Sequence, residues 1–365
     1  MKRTKLAIAA AALLFSTLSF AQQLPGGAHQ ADMTVDAAQR QVVIDGVIRE
    51  LRTSYVFPEQ AKKIELALRQ QQKRGAYDAI TSAEKLSKTI SQHMQAVNND
   101  KHLNIFYSAA PIPERDKDMK PTAEQMAAEL AEMKAQNFGI ERVERLPFNI
   151  GYFALNGFMP AREVANSMAA AMTLVANTDA LIIDLRKNGG GDANTVTLLA
   201  SYFLDERTHM TDIYDRPTDR TDQMWSSDTV AGAHYGQKKD VYILTSKRTF
   251  SAAEDFSFAM KNLKRVTIVG ETTGGGAHPG GVARLSEHFA MFVPSGRSMN
   301  PKTKLDWEVV GVAPDVMTNA DDAMKTAQIA ILKKIAGAEK DAKRVERINA
   351  RIAKIGTETS AGAAP

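Results

Sequence analysis

The chain contains no cysteine in 365 residues and only two tryptophans. The first absence excludes disulfide bracing, thiol catalysis and thiolate metal sites, so stability must come from packing. Neither sign of charge dominates: there are 46 basic and 42 acidic residues, and Lys2, Arg3 and Lys5 stand at the extreme N terminus. Without those three the remainder is almost neutral, which argues against a nucleic-acid partner. The locally basic KDAKRVERINARIAK near the C terminus mixes both signs at helical spacing and reads as a solvated helix. No apolar run suffices to span a bilayer either, because the stretch Leu6 to Leu18 is short of the roughly 20 residues required.

What is present begins with those basic residues. Lys2 to Lys5, the apolar Leu6 to Leu18 and the small-residue end Ser19-Phe20-Ala21 form the three regions of a secretory signal peptide. This predicts cleavage after Ala21 and a periplasmic or secreted mature protein that does not span the membrane. Helical stripes (Val43, Ile44, Val47, Ile48 and Leu51; Ile64, Ala67 and Leu68; Leu86, Ile90 and Met94) predict a small helical domain over 22–110, ending in a strand at Leu103 to Tyr107. A linker and helix over 111–147 follow. From 148 to 337 strands and helices alternate, predicting an α/β core with helices packed on a layered sheet and ligands at the carboxyl ends of the strands. Residues 338–365 read as a polar helix and a small, polar tail.

The most informative segment is DVYILTSKRTFSAAEDFSFAMKNL, from Asp240 to Leu263. Val241 to Leu244 form a β-prone run, and Phe256, Ala259, Met260 and Leu263 recur at helical spacing, so Ser251 falls at a strand-to-helix corner. Free backbone N–H groups and the positive end of the helix dipole at that corner can stabilise charge developing on a substrate oxygen. The plainer alternative is that Ser251-Ala252-Ala253-Glu254 is only an S-x-x-E capping box.

Three further elements bear on the choice. The glycines of Asp184-Leu185-Arg186-Lys187-Asn188-Gly189-Gly190-Gly191 permit close approach of a substrate backbone, and an N–H of Gly190 or Gly191 could join that of Ala252 in an oxyanion hole. The spacing matches neither a P-loop nor a dinucleotide fingerprint, and a simple turn is the alternative. A serine needs a base, and of the seven histidines His102 opens a strand after a polar turn; His278, after Gly274-Gly275-Gly276-Ala277, is the competitor. A carboxylate must orient the imidazole. Glu308, beside Trp307, is the candidate, with Asp306 and Asp315 open by spacing alone. Metal ligation by His278 with His288 or His234 is allowed by residue type but has no tight ligand spacing behind it, and no cofactor is expected.

Taken together, the DLRKNGGG loop, the TSKRTFSAAEDF corner, GETTGGGAH from Gly270 and WEVVGVAPDV from Trp307 resemble the family of tail-specific (C-terminal processing) proteases, tricorn protease and the interphotoreceptor retinoid-binding protein modules, over about Val35 to Leu332. The resemblance implies a crotonase-like (ClpP/crotonase type) core acting on a peptide or protein substrate, with Ser251 as nucleophile and a backbone oxyanion hole. The lysine of the tail-specific branch has Gly276 in its place here, so the likeness is to the tricorn-like branch, in which His102 and Glu308 match the catalytic histidine and glutamate. That branch carries a serine where this chain has Lys101, and Ser108 to Pro147 is too short and too helical for the family's PDZ insert. Gly275, Gly276 and His278 remain candidates for binding substrate. A lipid- or peptide-binding protein on the same fold is the non-catalytic alternative.

Overall fold

The computed structural model describes residues 30–114 and 121–357. The expected leader, its cleavage point after Ala21 and nearly all of the polar tail lie outside those residues. Three helices come first: α1 (Ala37–Ser54), α2 (Pro58–Lys73) and α3 (Ala83–Asn98). Each start has a local cause. Asp36 and Gln39 form a capping box on α1, Pro58 opens α2, and the Ser82 side chain caps α3. Their expected apolar stripes are buried, apart from the partly exposed Ala67, in a core shared with Leu285, Phe289, Met291 and Val293 from far along the chain.

That sharing follows from strand pairing. Strand β1 (Asn104–Tyr107) starts one residue later than expected and is followed by the largely exposed helix α4 (Ala123–Ala135), of which only Met133 is buried. Instead of pairing with a sequence neighbour, β1 runs antiparallel to Phe289–Pro294, with Asn104 opposite Phe292.

The main sheet is built from β2 (Ile140–Leu146), β3 (Ile150–Leu155), β4 (Ala180–Asp184), β7 (Asp240–Thr245), β8 (Thr267–Gly270) and β12 (Val316–Met317), in the order β12-β8-β7-β4-β3-β2. All neighbours are parallel except β2, which pairs antiparallel with β3 at the edge. Side chains alternate between faces, and both faces are covered. Phe153, Leu155, Leu181, Ile183, Val241 and Ile243 face one core with α5 (Ala161–Val175), α6 (Ala193–Ser201) and α7 (Ala252–Asn262). Tyr152, Ala154, Ile182 and Leu244 face the other, under α8 (Ala320–Ala338) and α9 (Ala342–Thr357). The result is a mixed α/β fold with a helical N-terminal region.

Two small sheets complete it: β1 with β9 (Gly280–Arg284) and β10 (Phe289–Pro294), and β5 (His209–Asp215) with β6 (Arg220–Trp225) and β11 (Gly296–Met299). Strand β6 lies inside the stretch Arg216 to Lys239 that reads from sequence as a polar excursion. Its residues are mostly exposed, so it lacks the apolar alternation that marks a strand. No helix of the described residues is long and apolar enough to cross a membrane.

Candidate active site

Strands β4 and β7 are parallel neighbours, so the segments leaving their carboxyl ends meet. Ser251, half-buried, sits on the second of these segments at the threshold of α7, with φ 54° and ψ −120°. A non-glycine residue there is strained by about 1–3 kcal/mol and persists only where its surroundings hold it. The first segment does part of the holding: Thr249 Oγ1 donates to the Leu185 carbonyl at 2.8 Å, and Phe250 N–H to the Asn188 carbonyl at 3.0 Å. A Cβ on Gly190 would stand 2.7 Å from Ser251 Cβ and 3.0 Å from Ala252 N, so only glycine lets the loop lie against the corner. Gly190 N–H is engaged by Asn188 Oδ1 at 2.9 Å. The N–H groups of Ala252 and Gly191 have no acceptor among the described residues.

Glu254 supplies the rest of the restraint, a role that treating S-x-x-E as a cap alone does not reveal. It is fully buried. One oxygen accepts from Thr273 Oγ1 (2.5 Å) and Gly275 N–H (2.7 Å), the other from Ser251 N–H and Gly276 N–H (both 2.9 Å). Burial pushes its pKa up against the pull of these donors. One carboxylate thus ties the serine corner to the 273–276 loop.

His102 reaches this loop from the turn between α3 and β1. Its ring packs against Phe250, the residue before Ser251, at 4.6 Å between centroids, and against Phe292 at 5.4 Å. A Cβ on Gly276 would lie 2.6 Å from His102 Cε1 and 2.3 Å from Phe250 Cζ, so no side chain, lysine included, fits at Gly276 beside these rings. Burial, opposed by Asp100 and reinforced by His278, pushes the His102 pKa down to about 4. Nδ1 is buried without a hydrogen-bond partner.

Glu308 binds the same loop from the other side, accepting from Ala277 N–H through Oε2 at 2.5 Å, while Trp307 Nε1 donates to the Gly276 carbonyl at 2.8 Å. Its Oε1 is also buried and unpartnered. Burial, then the charge of Asp100, raise its pKa to about 7 against the opposing effect of His278. No hydrogen bond joins Glu308 to His102. Instead Glu308 Oε2 lies 3.4 Å from His278 Nδ1, which donates to Asp100 Oδ2 at 3.0 Å. Asp100, 1% exposed, also accepts from Tyr55 Oη at 2.9 Å and from the His102 N–H at 3.0 Å.

Asp100 was not singled out from sequence, although it stands two residues before His102 in a polar turn. Lys101 donates to the Gly274 carbonyl at 2.5 Å. Asp306 pairs with Arg297 at 2.6 Å, and Asp315 accepts from Ile268 N–H at 2.8 Å, so both are otherwise engaged. His288 bonds the Ser108 carbonyl and His234 those of Ser201 and Leu204, neither of them near His278 in these contacts. Asp100, His278 and Glu308 have the residue types a cation would need, with ligand atoms within 4.8 Å of one another. Their mutual hydrogen bond and ion pair account for that grouping, and they are not assigned as metal ligands.

A largely parallel α/β sheet with a strained serine at a strand-to-helix corner, glycine loops on either side and a histidine packed on the phenylalanine before that serine defines the class. Residues 149–318 match Peptidase family S41, and residues 33–138 match the N-terminal domain of Peptidase_S41 in eukaryotic IRBP. The two matches together span most of the chain, which belongs to Peptidase family S41. It is 30% identical over 174 residues to carboxyl-terminal-processing peptidase 2, chloroplastic, of Arabidopsis thaliana, covering 46% of this chain and 31% of that protein. Carboxyl-terminal-processing peptidase 3 of the same plant is 26% identical over 168 residues, with the same coverage. The chain therefore aligns with under a third of the length of these curated relatives. A lipoprotein from Streptococcus agalactiae shares the fold at a TM-score of 0.52 and 14% identity, covering 82% of this chain and 98% of that one.

Proposed function

We propose that this protein is an exported serine peptidase, with Ser251 as nucleophile, His102 as general base and Glu308 as the carboxylate that stabilises the charged imidazole. Ala252 N–H is one oxyanion donor. Gly191 is the second, since the Gly190 N–H is already engaged by Asn188. Attack of Ser251 Oγ on the scissile carbonyl passes the hydroxyl proton to His102, which delivers it to the leaving amine, and a water activated by the same imidazole then hydrolyses the ester. Export with cleavage after Ala21 belongs to this proposal. The observation that carries it is the strained Ser251 backbone beside an unengaged helix-start N–H. Family membership and the carboxyl-terminal-processing relatives support peptide or protein as the substrate class.

His102 and Glu308 each present one buried atom without a partner, Nδ1 and Oε1, and both residues grip the loop at Gly276-Ala277. Joining those two atoms completes the triad and satisfies both, a closure that substrate binding can bring about since catalytic hydrogen bonds often tighten only in the complex.

A fluorophosphonate tests the reading. The mature protein should be modified stoichiometrically at Ser251, and Ser251→Ala should abolish both modification and cleavage of a peptide library. A second reading, a non-catalytic lipid or peptide binder, draws on the open His102 to Glu308 connection; folded protein that resists labelling and yields a lipid on extraction would establish it. Because His278 already holds a carboxylate, the base assignment needs its own control. Labelling lost in His278→Ala but retained in His102→Ala would transfer the role to His278.

A further inference from the structure

The His278–Asp100 pair lies against Glu308, and the reaction as described does not use it. Its construction is nevertheless unusually complete. His278 is 4% exposed, its ring edge packs on Phe57 at 5.1 Å, and its Nδ1 donates to Asp100. Asp100 is fixed in turn by Tyr55, itself bonded by Asn98. We infer that His278 is a positioning residue for this site: held by Asp100, it presents its charge to Glu308 and keeps that carboxylate in the ionised form His102 requires. The inference rests on the reading of Glu308 as the carboxylate partner of His102.

The charges around Glu308 single out His278. Asp100, from the turn after α3, and Asp306, just upstream in the chain, both oppose ionisation. The 273–278 loop contributes one favourable backbone donor, Ala277 N–H. Arg297 of β11, the other cation lining the adjoining pocket of about 370 Å³, is committed to Asp306. His278 is left as the cation in contact, at 3.4 Å. Burial pushes the His278 pKa down, but Asp100 and the charges of Glu308 and Asp306 outweigh it, so the imidazole protonates more readily than usual. Asp100 is held below the usual carboxylate range because His278, His102 and Tyr55 outweigh its burial. The trio therefore favours a charged imidazole beside a charged Asp100, with Glu308 as the member that changes state.

The pH profile of fluorophosphonate labelling is the readout. In the wild-type protein the rate should rise with a midpoint near 7, the Glu308 transition. In His278→Gln the midpoint should move up by at least about one pH unit, which makes labelling roughly tenfold slower on the acid limb. His278→Lys, which restores a cation, should bring the midpoint back. A residue that merely packs would lower the rate at every pH and leave the midpoint in place, and that result overturns the inference. A second measurement is independent of turnover. The Glu308 carboxyl band, assigned by subtracting Glu308→Gln, is followed by infrared difference spectroscopy across pH in Ser251→Ala and in Ser251→Ala/His278→Gln. The second protein should titrate at higher pH, whereas coincident curves overturn the inference. Failure of the folded wild-type protein to label removes the hydrolase reading, while the infrared titration still decides whether His278 governs Glu308.

Discussion

Two carboxylates flank the 273–278 loop, one buried and one partly buried, and they are built in opposite ways. Glu254 receives four donors across its two oxygens and has no exposed surface. Glu308, with a side chain 11% exposed, receives one backbone donor and keeps an oxygen without a partner. Both are pushed toward protonation by burial. The first is a clamp whose geometry is finished, and the second is poised, with unspent bonding capacity facing a loop that also borders His102. On the proposed roles, the contrast means that the nucleophile side of the site is preorganised, while the base side would be completed only when substrate binds.

The largest effect that can break the comparison is on chemistry. Glu308→Gln should slow acylation by about 10³-fold or more, since a neutral amide cannot stabilise the charged imidazole; labelling rates within a few-fold of wild type would remove Glu308 from the mechanism. Next comes stability on the opposite side. Glu254→Ala leaves two loop amides and a threonine hydroxyl unpaired and frees a strained serine, so unfolding in urea should show a loss of about 3–5 kcal/mol. A loss below about 1 kcal/mol would mean that Glu254 is no clamp.

Glu308→Gln should also stabilise the fold in alkaline conditions, and the sign follows from linkage. The folded pKa of about 7 lies above the ordinary 4.5. The folded state therefore binds the proton more tightly, and ionisation opposes folding increasingly as pH rises between those values. Glutamine does not ionise, so at pH 8 the variant should gain up to about 3 kcal/mol while the difference vanishes near pH 4. Equal stability at pH 8 would place Glu308 in water rather than in a buried site. Smaller again, Gly276→Ala pushes a methyl group into Phe250 and His102, which should cost about 1–3 kcal/mol and lower the labelling rate by displacing the imidazole. Unchanged labelling would show that His102 does not depend on that gap.

The base side also changes the pH expectation. A histidine near its ordinary pKa of about 6.5 would set an acid limb at pH 6 to 7. Packing against Phe250 and Phe292 instead moves His102 down to about 4, so on the proposed roles a limb near neutrality should report Glu308. Burial by residues remote in sequence made that difference, and composition carries no sign of it.

Local pattern made a large part of the molecule legible. The helices carrying the stripes Val43 to Leu51 and Leu86 to Met94, and the corner at Ser251, were readable because apolar periodicity and a capping motif are local properties. Strand β6 was not, because a largely exposed strand lacks the alternation that burial imposes. Asp100 was passed over for a related reason, since a carboxylate in a polar turn looks solvated until Tyr55 and His278 close over it.

By itself, then, the sequence determined the α/β core, the serine at its strand-to-helix corner and the glycine loops around it, all of which depend on the spacing of neighbouring residues. Only the tertiary structure decided that β1 pairs with β10, that His102 packs against Phe250, that Glu254 binds Gly275 and Gly276, and that Glu308 lies on His278. Those contacts join residues up to about two hundred positions apart, and which of them form is settled by packing and burial in the folded chain rather than by any local preference.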